Sequence, residues 1–205
     1  MTSFPRRTCF VWLILATSSC SSFGQKSSVA VDENSVWNVV LSDIPEGLER
    51  LLLITPSIAR SAMGNAIDFA EGVPLLAERE ELLPHDERIR SEKLDILLKG
   101  MVTKSKVPTA VGRLALTSQT TRLASDHELK AARIKCGDCD WETLKNWFDG
   151  ATGTVRVSRV GFLDTLAMVY AEKFCGELCG QGTLYLLENL DHRWRVRQKV
   201  TLWRS

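Results

Sequence analysis

The alternation that starts at Thr154 and runs to Trp203 constrains the fold of this chain more than any other stretch. Four segments, Thr154–Phe162, Thr165–Phe174, Thr183–Glu188 and Arg193–Trp203, each read as a strand. The joints between them are short, and short joints allow only antiparallel neighbours, because a parallel pair needs a crossover of about a dozen residues. In the last segment Trp194, Val196, Val200 and Leu202 share one face with Gln198, while Arg193, Arg195, Arg197 and Lys199 share the other. One face is therefore expected in the core and the other in solvent.

Just before this meander, Asp140 can cap a helix whose Trp141, Leu144, Trp147 and Phe148 form an apolar stripe, and Asp149-Gly150 ends it. A helix laid on one face of such a sheet gives an α+β class, a four-stranded antiparallel meander packed against helices. The rest of the chain supplies the other elements. A helix is expected from Asp32 to the stop at Pro45-Glu46-Gly47, and a short buried strand over Glu49–Thr55. Residues 57–73 give no clear pattern. Two helical pieces, Pro74–Leu83 and Asp86–Lys99, divide at Pro84, with Lys99-Gly100 as the second stop. Arg113–Thr117 alternates as a strand, a polar connection follows, and Glu128–Ile134 fits strand and helix alike. No repeat or low-complexity linker divides the chain, so 32–205 reads as a single α+β domain.

The N-terminus has a different character. Arg6 and Arg7 precede the apolar run Cys9–Ala16, which gives way to small polar residues, the build of a secretory signal peptide over 1–24 with a flexible leader over 25–31. The run is far shorter than the roughly 20 residues a spanning helix needs, so no transmembrane segment is expected in the mature chain. Ser22-Phe23-Gly24 before Gln25 suits cleavage to a soluble protein; the alternative is a lipid anchor at Cys20, preceded by Ala16-Thr17-Ser18-Ser19. Either outcome places the protein outside the cytoplasm, in the periplasm or beyond. Removal of Arg6 and Arg7 turns 26 basic residues into 24 against 25 acidic ones, a formal −1. Such a chain is no general polyanion binder, and no nucleic-acid partner is expected.

Two of the six cysteines lie in the signal segment, leaving Cys136 and Cys139 in Cys-Gly-Asp-Cys and Cys175 and Cys179 in Cys-Gly-Glu-Leu-Cys. In an exported protein such cysteines are disulfide candidates first. Four cysteines allow three connectivities, and glycines at 176 and 180 favour local pairing of Cys175 with Cys179 at a tight link between strands. A four-thiolate zinc site is a weaker reading, because the spacings are unequal and the compartment oxidising. A thiol-disulfide oxidoreductase using the Cys136–Cys139 pair ahead of the expected helix is the alternative function, although that motif sits late in the chain and outside a βαβ unit.

Other chemistry is not indicated. His85, His127 and His192 share no ligand spacing, and neither a nucleophile elbow, a phosphate loop nor a dinucleotide fingerprint is present. Glu78, Glu80, Glu81, Asp86 and Glu87 alternate with Arg79, Arg88 and Arg90 and read as a solvated helix face. No metal, cofactor or catalytic residue is assigned. Trp147-Phe148, Gly153, Ser158-Arg159-Val160-Gly161-Phe162, Ala167-Met168-Val169-Tyr170, Cys175–Gly182, Tyr185–Glu188, Trp194 and Trp203-Arg204-Ser205 together resemble the ending of a family of uncharacterised exported bacterial proteins. Leu163 stands where that family's pattern has Asn. The resemblance implies export and this fold but no activity, so the expected function is a non-enzymatic exported domain that binds a ligand or partner or serves the cell envelope.

Overall fold

The computed structural model describes residues 26–44, 50–54, 69–107, 120–124, 127–128, 131, 148, 153–174 and 179–205. Its helices are α1 (Lys26–Asp43), α2 (Phe69–Glu80) and α3 (Ser91–Ser105). Its strands are β1 (Arg50–Ile54), β2 (Thr120–Ala124), β3 (Gly153–Val157), β4 (Gly161–Leu163), β5 (Leu166–Phe174), β6 (Gly180–Leu190) and β7 (Arg193–Arg204). Among the described residues the strands form one sheet in the order β2-β1-β3-β5-β6-β7, with β4 beside β5 in line with β3. The last strands make the expected antiparallel meander, and the protein is α+β. At the other edge β1 runs parallel to both β2 and β3. β2 lies in the stretch read as a polar connection, where Leu123 and Ala124 are its only apolar residues.

The sheet is covered on both faces rather than one. Along β5, Ala167, Val169 and Ala171 pack with Val36, Trp37, Val40 and Leu41 of α1, while Leu166, Met168 and Tyr170 pack with Leu76 of α2 and Leu94, Leu97 and Met101 of α3. That explains why β5 reads as a nearly unbroken apolar run. The roofing helix expected over 140–150 lies outside the described residues, apart from its Phe148, which is buried.

Three boundaries differ from the sequence reading. α1 begins at Lys26, within the stretch read as a leader. α2 begins at Phe69 and holds Pro74 inside it, close enough to the N-terminus to forfeit only one intrahelical bond. α3 starts at Ser91, not Asp86, and runs through Gly100. Gly100 is a packing residue rather than a stop: a Cβ there would reach the Gly161 Cα at 3.7 Å, and a Cβ at Gly161 would overlap the α3 backbone at Leu97. Helix and strand therefore approach backbone to backbone.

The predicted strand Thr154–Phe162 is broken at Ser158–Val160, where three residues oppose two of β5. Ser158 replaces the missing ladder partner with its side chain: its N–H donates to the Tyr170 carbonyl at 2.8 Å, and its hydroxyl accepts the Tyr170 N–H at 2.9 Å. The bulge is tied to both helical layers. Trp37 Nε1 of α1 donates to the Ser158 carbonyl at 3.0 Å, and the Arg159 guanidinium grips the buried Glu33 carboxylate with bonds of 2.8 and 3.0 Å. From the other side, Arg159 N–H donates to Ser105 Oγ at 2.9 Å and Lys104 Nζ to the Val160 carbonyl at 3.0 Å.

β7 carries two register shifts against β6. The first, at Arg197, inverts the strand's parity, so Trp194 and Val196 join the α1-side core whereas Val200 and Leu202 join the α2/α3 side. The single apolar face expected for these four residues does not form. The basic row is split as well. Arg193 and Arg195 are exposed, Arg197 turns to Glu80 and Glu188, and Lys199 turns to Asp43 at 2.7 Å. Glu80 is thus no solvated helix residue: it is 1% exposed and takes two bonds of 3.0 Å from Arg197. Glu78, Glu81, Asp86 and Glu87 do lie exposed as expected.

Two substitutions check the bulge. Ser158→Ala leaves the Tyr170 N–H without its acceptor and is expected to destabilise by about 1–3 kcal/mol. Arg159→Ala strands the Glu33 carboxylate in the core and is expected to cost about 3–5 kcal/mol. Urea denaturation of each variant measures both values.

Candidate functional site

The α2/α3 face of the sheet changes character at one end. Toward the start of β5 it is apolar, but beyond Met168 the residues of that face are Tyr170, Glu172 and Phe174. Opposite them in register stand Leu184, Gly182 and Gly180 of β6, and Trp203 of β7 pairs with Gly182. The two glycines matter for what they lack. A Cβ at Gly182 would overlap the Trp203 indole nitrogen and the Tyr170 hydroxyl, and a Cβ at Gly180 would come within 2.8 Å of the same indole. Bare backbone lets the Trp203 ring lie across β6, packed on Phe174 with centroids 5.4 Å apart.

A directed chain of hydrogen bonds ends on a buried carboxyl. Trp203 Nε1, which can only donate, lies 2.7 Å from the Tyr170 hydroxyl oxygen, and Tyr170 O–H in turn donates to Glu172 Oε2 at 3.3 Å. Glu172 is 1% exposed. Among the described residues its second oxygen, Oε1, has no hydrogen-bond partner, and Arg156 Nη1 on β3 stands 3.9 Å away. That separation attracts charge to charge but is too long for a hydrogen bond.

The environment shifts both ionisations. Burial pushes the Glu172 carboxyl up to about 7, with Arg156 and then the Tyr170 hydrogen bond opposing the rise. Burial, reinforced by the neighbouring Glu172, lifts the Tyr170 phenol well above its ordinary range. Tyr170 therefore stays a donor throughout the physiological range, while Glu172 changes charge near neutrality.

A concavity of about 790 Å³ opens between the 86–93 segment, the 164–166 turn and the β6–β7 hairpin. Its walls mix acids and bases, several of which are already engaged. Arg197 is held by Glu80 and Glu188, Lys93 by Asp164 at 3.3 Å, and Arg88 donates to the Leu83 carbonyl. It presents no unsatisfied charge comparable to Glu172.

Of the residues singled out from sequence, Cys179 is exposed one position before β6. Cys20, Cys136, Cys139 and Cys175 lie outside the described residues. His85, His127 and His192 are exposed and do not converge. Among the described residues no group of three or more His, Cys, Asp or Glu could hold a metal ion, and no helix is long and apolar enough to cross a membrane. The Tyr170–Glu172–Arg156–Trp203 cluster was not read from sequence, though one signal was there: Glu172 interrupts the apolar face of β5 two residues after Tyr170. No family model, curated protein or solved structure matches the chain.

Glu172 makes stability depend on pH. Its folded value, about 7, lies above the ordinary 4.5, so the native state binds the extra proton between these values. Stability is then greatest below about pH 4.5 with respect to this group, declines as pH rises, and carries the full penalty above about 7, on the order of 3 kcal/mol. Glu172→Gln is expected to flatten that decline. Urea midpoints of both proteins at acid and alkaline ends of the window give the comparison, and an identical slope in the two would refute the assignment.

Proposed function

We propose that this chain is an exported α+β domain that binds a ligand through the polar end of its sheet and performs no chemistry of its own. The observation that carries the reading is Glu172. A carboxyl buried with one oxygen unpartnered weakens the fold at neutral pH, and residues that oppose the fold mark places where a task other than stability is served. The aromatic pair beside it and the partly exposed Arg156 supply the mixed apolar and polar surface typical of a ligand site.

Export belongs to the same proposal. The signal segment over 1–24 and the resemblance of the last third to exported bacterial proteins support it. Pairing of Cys179 with Cys175 would close the β5–β6 link immediately beyond Phe174, holding the site's strands together. Cys136 and Cys139 then form the second bridge, and the mature chain begins at Gln25 unless Cys20 carries lipid.

Two measurements test the reading. Protein isolated from its native compartment is expected to start at Gln25 and to show no free thiol, with Cys175 and Cys179 in one linked peptide. Four free thiols, or insulin reduction that disappears in Cys136→Ser, would replace the binding domain with a thiol-disulfide oxidoreductase. Thermal melts against soluble envelope components, namely short peptides, neutral oligosaccharides and anionic lipids, are expected to give at least one stabilising component, about 2.7 kcal/mol at a hundredfold excess over Kd. The gain should shrink in Glu172→Gln; no gain with any component, or an equal gain in the variant, counts against ligand binding here.

A further inference from the structure

Resting on the ligand-binding reading above, we propose that the Arg156–Glu172 gap receives a hydroxyl group of a neutral saccharide, whose ring lies against the Phe174–Trp203 pair. The geometry of the gap selects the chemistry. Arg156 Nη1 is a donor and Glu172 Oε1 an acceptor, 3.9 Å apart, with no hydrogen bond between them. An oxygen seated at ordinary hydrogen-bond distance from both would accept from the guanidinium and donate to the carboxyl. A hydroxyl does this with one atom; a carbonyl cannot donate and an ammonium cannot accept. Charged ligands are selected against from both sides. An ammonium would meet the Arg156 cation, and a carboxylate or phosphate would meet ionised Glu172.

The surroundings fit the same ligand. The Glu172 side chain is fully buried, while that of Arg156 is 23% exposed, so a ligand would approach the pair from the arginine. Phe174 and Trp203 are each half-buried, and their rings tilt at 38° to form a broken aromatic surface on the same face of the sheet. The C–H face of a pyranose ring is apolar while its rim carries hydroxyls, which suits an aromatic floor beside a polar gap. Trp203 cannot swing freely, because its indole N–H is held by Tyr170 and its ring fills the space left by Gly180 and Gly182. The floor is preorganised, which lowers the entropy lost on binding.

The test uses the full-length protein with its tryptophan indoles labelled by ¹⁵N, the Trp203 resonance being assigned with Trp203→Phe. Cellotetraose, chitotetraose, maltotetraose and xylotetraose are titrated singly to about 10 mM, tenfold above a Kd of 1 mM. At least one is expected to shift the Trp203 indole resonance in a saturable way. Glu172→Gln and Arg156→Ala are each expected to weaken that binding about tenfold or more, the loss of one charge-assisted hydrogen bond. Lys93→Ala should bind as the wild type does, and a dispersed spectrum in each variant shows that it is folded. Failure of all four sugars to move Trp203 overturns the inference. Binding that survives both substitutions overturns the site. A peptide or lipid that stabilises the protein while the sugars do not leaves the ligand-binding reading standing and removes the saccharide.

Discussion

The structure turns on the bulge at Ser158–Val160. A single extra residue in the strand that borders β5 would ordinarily leave a backbone N–H and a carbonyl unpaired. Here the Ser158 hydroxyl takes the place of a carbonyl in the ladder, and the freed backbone groups are used by the helices: Trp37 of α1 on one side, Lys104 and Ser105 of α3 on the other. Three consecutive residues thereby fix both helical layers to the same point of the sheet. Gly161, the next residue, then permits α3 to settle on the strand without a side chain between them. Phe162 completes the joint, with Lys104 Nζ 4.9 Å from its ring centre and Trp194 5.8 Å away.

The two long-range Arg–Glu forks have a related role. Arg159 holds Glu33 and Arg197 holds Glu80, one on each face of the sheet, and each joins a helix to a bulge. Buried ion pairs gain little over apolar packing once desolvation is counted. What they specify is register: Arg159 meets Glu33, and Arg197 meets Glu80 and Glu188, only in the observed alignment, and a slipped strand would separate these charges. β7 depends on this, because its two shifts carry Val196 and Val200 to opposite faces. The outer edge of the strand is also occupied, since Arg79 donates to the Lys199 carbonyl, which removes one of the groups through which an edge strand recruits another chain.

Glu172 stands apart from these forks. Arg156 lies on its face but outside hydrogen-bond range, and the carboxyl is left with a tyrosine as its one hydrogen-bonding neighbour among the described residues. The forks place two carboxylates where they are fully gripped; the end of the sheet holds one that is not. It is the group to which the proposed ligand is assigned, and a value pushed up to about 7 leaves its charge responsive to small changes in its surroundings.

The α+β class and the antiparallel order of the last strands were legible in the residues, because both follow from local periodicity and short joints. The sequence also marked Ser158–Phe162 as a motif without revealing its task. Which face each residue takes depends on contacts made across the whole fold. A one-residue bulge inverts the parity of everything beyond it, and the bulges here are held by partners more than a hundred residues away: Glu33 for Arg159, Glu80 for Arg197. The same distance hid Glu80 among solvated acids and made Gly100 resemble a helix stop. Glu172 was visible as one acid on an apolar strand, but its unpaired oxygen, the glycines that admit Trp203 and the gap to Arg156 exist only once four strands, β3, β5, β6 and β7, lie side by side.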